Sequence, residues 1–141
     1  MTAPSRKILI VDDNAGLSQM LKLQLEHAGG FIVRVQNDAT AALASARQFR
    51  PHLVILDVMM PGLDGGHVAA QMKADRILRQ TPVIFLTGSV RKEEVADRNG
   101  LIGGWPFLAK PARLEELLHW IDTLAPATTA AARPASTRPP R

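Results

Sequence analysis

Five short apolar runs recur along the chain, Lys7–Val11, Phe31–Val35, His52–Leu56, Pro82–Leu86 and Trp105–Ala109. Each is close to continuous rather than alternating, and each is bounded by polar or turn-forming residues. That pattern predicts strands covered on both faces. Between the runs the apolar spacing changes to three and four. Leu17, Met20, Leu21, Leu25 and Ala28 mark one face of a helix from Ala15 to Ala28 that Gly29-Gly30 stops. Asp38 caps an alanine-rich helix to about Arg47, Asp64-Gly65 opens a third running to about Ala74, and Arg91 to Asn99 reads as a short charged helix. A glycine-rich loop, Asn99 to Gly104, follows. Leu114, Leu117, Leu118, Ile121 and Leu124 supply the stripe of a last helix. Five strand–helix repeats predict an α/β fold: a doubly wound five-stranded parallel sheet flanked by five helices, with right-handed crossovers.

Composition narrows this picture. The chain has 141 residues, 46% of them apolar, which suits one folded domain, read here as residues 1–124. From Ala125 to Arg141 the residues are mostly Pro, Ala, Thr and Arg. Such a segment cannot bury enough surface to offset its ordering entropy, so a disordered tail is expected. There is no cysteine, which excludes disulfides and thiolate metal sites. No apolar run reaches membrane-spanning length and the N-terminus lacks a secretory core, so a soluble, cytoplasmic protein away from the membrane is expected. The net charge of +4 owes much to Arg133, Arg138 and Arg141; the other 14 basic residues face 13 acids, and no direct DNA binding is expected.

The chemistry lies at the carboxyl ends of the runs, where an open parallel sheet leaves a crevice for ligands. The first run ends in Asp12-Asp13, the third in Asp57, the fourth in Thr87-Gly88 and the fifth in Lys110. Three converging carboxylates repel one another unless a cation intervenes, and an all-oxygen set favours magnesium. A carboxylate can attack phosphorus and hold the phosphoryl group as an acyl phosphate if the gathering negative charge is neutralised. Lys110 suits that task as a mobile point charge. Thr87 can donate a hydrogen bond to a phosphoryl oxygen, and Gly88 leaves room that a side chain would block.

These residues resemble the receiver domain of bacterial response regulators. The resemblance runs from Arg6 to Leu124 and rests on Asp12-Asp13, the stretch Asp57-Val-Met-Met-Pro61-Gly-Leu-Asp64-Gly65, Thr87 before a small residue, Phe107, and Lys110-Pro111. It implies a flavodoxin-like receiver fold and a phosphorylatable switch of a two-component or phosphorelay pathway. By that likeness Asp57 is the phosphoacceptor. Asp13, Asp57 and the Met59 backbone carbonyl ligate Mg2+, Asp12 acts mostly through water, and Lys110 binds the phosphoryl group. Thr87 and Phe107 form a switch pair, and a cis bond precedes Pro111. The implied protein is a stoichiometric phosphoacceptor rather than an enzyme. Its partners are a histidine kinase or phosphotransfer protein and a downstream protein that reads the face of the fourth helix, fifth strand and fifth helix. It acts by protein–protein contact without its own output domain, as a monomer or a phosphorylation-dependent dimer.

The chain departs from the commonest pattern in having Phe107 where tyrosine is frequent, and Pro106 at a strand start suggests an edge position. Met59 cannot orient a water, which predicts slow self-dephosphorylation. His27, His52, His67 and His119 are scattered over separate elements and read as neither ligands nor phosphoryl carriers, and the methionines read as packing or loop residues. Two other readings stay open: a docking module that no longer takes phosphate, against which Asp13, Asp57, Thr87 and Lys110 stand, and an aspartyl-phosphate hydrolase, whose second acid is replaced by Met59.

Overall fold

The structure, a computed structural model, describes residues 5–60, 65–88, 101–102, 105–110 and 112–126. Strands β1 (Arg6–Val11), β2 (Phe31–Gln36), β3 (Leu53–Asp57), β4 (Val83–Thr87), β5 (Leu101–Ile102) and β6 (Trp105–Ala109) form one sheet in the order β2-β1-β3-β4-β6-β5. The five predicted strands, β1 to β4 and β6, are all parallel. The sixth, β5, pairs antiparallel with β6 and lies where the sequence suggested only a glycine-rich loop. A two-residue strand has too few positions to show a period, which is why it escaped the pattern. It also makes β6 the penultimate strand rather than the edge that Pro106 suggested. Pro106 sits one residue ahead of the first β4–β6 pair, Phe85↔Phe107, where a missing donor is least disruptive.

Four helices are described: α1 (Ala15–Ala28), α2 (Ala42–Phe49, preceded by a 3-10 turn at Ala39–Ala41), α3 (Gly65–Lys73) and α4 (Leu114–Leu124). The helix expected at Arg91 to Asn99, the bond before Pro111, Asp64 and the tail beyond Pro126 lie outside the described residues. Asn14 caps α1 by accepting from the Leu17 N–H at 3.0 Å, and Asp38 caps the 3-10 turn by accepting from Thr40 at 2.9 Å. Ala125, the first residue of the expected tail, still packs against the core, and its carbonyl accepts from Arg6 at 3.3 Å. No helix among the described residues is long and apolar enough to cross a membrane.

Strand side chains alternate between the two faces, and the core divides accordingly. Leu9, Val11, Val54, Leu56, Val83, Phe85 and Phe107 face α2 and α3, packing on Ala42, Ala46, Val68 and Met72. Ile8, Ile10, Leu53, Ile55, Ile84, Leu86 and Leu108 face α1 and α4, packing on Leu21, Leu25, Leu117 and Ile121. Every residue of β3 and β4 is buried, as continuous apolar runs at the sheet centre require. The predicted face of α1 needs correction. Ser18, Leu21 and Leu25 are the buried positions, whereas Met20 is exposed and Ala28 lies at the exposed end of the helix. Ser18 was overlooked because its hydroxyl, bonded to the Asn14 and Ala15 carbonyls, satisfies itself inside the helix.

Candidate functional site

The same alternation decides what meets at the carboxyl end of the sheet. Asp12 continues the row Ile8–Ile10, Asp57 the row Leu53–Ile55, and Lys110 follows Leu108, so all three belong to the α1/α4 side. Thr87 continues Val83–Phe85 on the α2/α3 side, the same side as Phe107. The backbone stays paired to the rim: Asp12 N–H donates to Gln36 at 3.1 Å, Val58 N–H to Leu86 at 2.9 Å and Lys110 N–H to Thr87 at 2.9 Å. Chemically active side chains thus stand on fixed strand ends rather than on free loops.

Carboxylate oxygens of Asp12, Asp13 and Asp57 lie within 4.8 Å of one another, Asp12 and Asp57 buried and Asp13 exposed. The Lys110 ammonium sits 2.9 Å from Asp12 Oδ2 and 3.3 Å from Asp57 Oδ2. Asp12 Oδ1 accepts from the Asn14 N–H at 2.9 Å. Asp12 Oδ2, although within ion-pair distance of Lys110, has no hydrogen bond of acceptable geometry and is wholly buried. A buried carboxylate oxygen without a directed donor, beside two further carboxylates and with no thiolate or imidazole among them, fits a hard divalent cation. Asp12, Asp13 and Asp57 are the side chains present that could hold one.

Burial, reinforced by the Asp12 charge, raises the Asp57 pKa from 3.8 to about 6, with Lys110 and the Met59 N–H pulling the other way. Burial alone would lower the Lys110 pKa, but contact with Asp12 and the charges of Asp12 and Asp57 outweigh it and hold the ammonium above its ordinary value. The site therefore keeps a protonated lysine facing an Asp57 carboxyl whose ionised form is disfavoured by its surroundings. Met59 is 59% exposed, and its N–H donates to Asp57 Oδ1 at 3.3 Å. Thr87 is fully buried one position beyond the Asp57↔Leu86 pair, and Phe107 is already packed inside the core. Gly88 was expected to be needed for space, yet a Cβ there would meet Lys110 side-chain atoms only at 3.8 and 4.0 Å, ordinary contact.

Three contributors were not read from the sequence. Asn37 donates through Nδ2 to the Asp12 carbonyl at 2.6 Å and to Ser18 Oγ at 3.0 Å, tying the acid-bearing loop to the loop after β2. Asn14, the N-cap of α1, also donates its backbone N–H to Asp12 Oδ1. At Gly65 a Cβ would lie 2.2 Å from the Asp57 carbonyl oxygen, so α3 begins against the backbone of the candidate acceptor. The glycine pair at the start of that helix was the available signal for Gly65, because glycine opening a helix without need is costly. Asn37 carried none, since its partner is a backbone atom 25 positions away.

Comparison with known proteins agrees with the fold. The family model for the response regulator receiver domain matches residues 8–122. The DNA-binding response regulator MtrA of Mycobacterium tuberculosis is 36% identical over 119 residues, 84% of this chain and 50% of that protein. The chain spans about half the length of the curated relatives it matches. Among solved structures, the receiver domain of the Francisella response regulator 1452 superposes with a TM-score of 0.72 at 27% identity, covering 86% of this chain and 97% of that one. The Vibrio cholerae chemotaxis protein CheY4 gives a TM-score of 0.72 at 29% identity, covering 85% and 98%.

Proposed function

The chain belongs to the response-regulator receiver family, and we propose that it serves a two-component or phosphorelay pathway as a phosphorylatable switch with Asp57 as the acceptor. Receivers in general are phosphoacceptors of two-component signalling rather than enzymes in the ordinary sense. The observation that carries the assignment to this residue is the Lys110 ammonium held at 2.9 and 3.3 Å from two buried carboxylates at the sheet rim. Of the two, Asp57 is the one contacted by the exposed Met59, whose N–H donates to its Oδ1 at 3.3 Å.

In the proposed transfer a carboxylate oxygen of Asp57 attacks phosphorus. One O–P bond forms as the bond from phosphorus to the donor's nitrogen breaks, and the departing imidazole keeps the electron pair and takes a proton from water. Asp12, Asp13, Asp57 and the Met59 carbonyl would hold Mg2+, which when bound supplies positive charge against the transferring oxygens. The Lys110 ammonium turns from its ion pairs with the two carboxylates to the phosphoryl group, and the Thr87 hydroxyl donates to it. The Thr87 movement frees space on the α2/α3 side, where Phe107 packs, and so changes the surface of β6 and α4 offered to a downstream protein. The phosphodonor is a histidine kinase or phosphotransfer protein, in the cytoplasm. DNA binding, which belongs to the name of MtrA, is not carried over to a chain that matches half of it.

The test is intact mass after incubation with Mg2+ and a small-molecule phosphodonor. The expected result is one added phosphoryl group, lost in Asp57→Asn and without magnesium; a folded wild type that gains none refutes the switch and favours a phosphate-independent docking module.

A further inference from the structure

We propose that the open depression between α2 and the turn after α3 is a docking surface for an acidic, partly apolar segment of a partner protein, used whether or not the acid site is phosphorylated. The depression, about 690 Å³, is lined by Arg47, Ala74, Asp75, Arg76 and Ile77. Its position follows from the topology. α2 and α3 run back from the carboxyl rim, so the end of α2 and the turn at 74–80 lie at the opposite edge of the sheet from Asp57.

Arg47 is anchored there in an unusual way for a surface arginine. Its Nε donates to Asp75 Oδ2, and Asp75, with a side chain only 5% exposed, is itself fixed by the N–H groups of Ile77 at 2.8 Å and Leu78 at 3.3 Å. The Arg47 side chain is nonetheless 54% exposed, and its terminal nitrogens have no partner among the described residues. A guanidinium held by one edge with its other nitrogens open is ordered for a carboxylate before any ligand arrives, so less entropy is lost on binding. Arg76, across the depression, makes no hydrogen bond or ion pair among the described residues.

Among the described residues of α2, α3 and the turn after it, basic side chains predominate. Residues 39–56 and 65–82 contain Arg47, Arg50, Lys73, Arg76 and Arg79 against a single acid, the buried Asp75. A polyanion is therefore attracted. Ile77, 46% exposed beside Ala74, decides which kind. A nucleic-acid backbone offers phosphates at regular spacing and nothing apolar to cover an isoleucine, whereas a peptide with alternating acidic and apolar side chains meets both features.

The experiment is an amide-shift titration of the full chain with a capped peptide of alternating glutamate and leucine, beside a lysine–leucine peptide and a duplex DNA. Saturable shifts at residue 47 and residues 74–77 are expected with the acidic peptide alone, at the same affinity with and without magnesium and a small-molecule phosphodonor. Arg76→Glu, which breaks no internal contact, is expected to weaken binding by about tenfold or more, the worth of one charge-assisted contact. Ile77→Ser is expected to weaken it severalfold. No shift at those residues up to about 1 mM peptide, the weak end of measurable affinity, overturns the proposal. Tighter binding of DNA there, insensitive to Ile77→Ser, overturns it in favour of a nucleic-acid surface.

Discussion

Replacing Asp57 by asparagine should make the metal-free fold more stable. The native pKa of about 6 lies above the unfolded value of 3.8, because burial and the Asp12 charge disfavour ionisation. The native state thus holds this proton more tightly than the unfolded chain does. Stability from Asp57 is full at low pH and is lost as pH climbs from about 4 through about 6. A difference of about two pKa units at roughly 1.4 kcal/mol each places the penalty near 3 kcal/mol at pH 7, falling to about half of that at pH 5. Asparagine keeps the shape and removes the charge. For a domain of this size, Asp57→Asn should therefore raise the melting temperature by about 5–10 °C at pH 7 without magnesium. Differential scanning fluorimetry of both proteins from pH 7 down to pH 4 isolates Asp57 together with the charges it contacts, since titrations elsewhere cancel in the difference. The gap should shrink steadily with falling pH, and it should also shrink as magnesium is added, because the wild type binds the cation better. An unchanged or lower melting temperature for the variant at pH 7, or a gap indifferent to both pH and magnesium, refutes the reasoning.

Lys110→Ala leaves Asp12 and Asp57 facing each other without their counter-ion, and chemical denaturation should show a loss of about 1–3 kcal/mol that magnesium partly restores. In Gly65→Ala the new Cβ meets backbone at 2.2 Å and no rotamer change relieves it; a cost of about 1–3 kcal/mol in urea titration is expected, together with slower phosphorylation. Met59→Glu and Met59→Asn should shorten the lifetime of the phosphorylated form severalfold, followed by loss of the added mass over time; an unchanged lifetime removes Met59 as the cause of slow turnover. Asn37→Ala should weaken magnesium binding severalfold by calorimetry and also lower the melting temperature by a few degrees, because its Nδ2 holds both the Asp12 carbonyl and the buried Ser18 hydroxyl.

The sheet was legible because its central strands are buried on both faces, which prints an uninterrupted apolar run for β1, β3 and β4. Asp12, Asp57, Thr87 and Lys110 were legible because each ends such a run. What failed was what has no period. β5 is two residues long, and Met20 has the right spacing on α1 but the wrong side of a stripe that Ser18 shares with Leu21 and Leu25. The ion pair from Lys110 to Asp12 was also missed. Sequence reasoning gave Lys110 to the phosphoryl group and Asp12 to the metal, although the ammonium reaches from the end of β6, with β3 and β4 lying between it and β1, to within 2.9 Å of Asp12 Oδ2.

That ion pair bears on how a switch could work. Asp12, Asp57 and Lys110 end rows on the α1/α4 side, while Thr87 and Phe107 lie on the α2/α3 side. A charge added at Asp57 on one side reaches the packing of Phe107 across the rim of the sheet, by the proposed hydrogen bond from the Thr87 hydroxyl and by the backbone. The link present is short: the Lys110 N–H donates to the Thr87 carbonyl at 2.9 Å, and Phe107 pairs with Phe85 in the same two strands. If the Lys110 ammonium turns from Asp12 to a phosphoryl group, the hydrogen bond from its N–H to the Thr87 carbonyl ties the two strand ends together at the rim of β4 and β6. Phe107 is already buried before phosphorylation, 2% exposed. The proposed signal therefore starts from a ring already inside the core and consists of a change in what that ring packs against as Thr87 moves. Phe107→Leu, which keeps apolar burial but removes the ring, should leave phosphorylation of Asp57 near the wild-type rate while abolishing the phosphorylation-dependent change in amide shifts along β6 and α4. If those shifts persist in Phe107→Leu, the coupling runs through the backbone alone and Phe107 has no part in it.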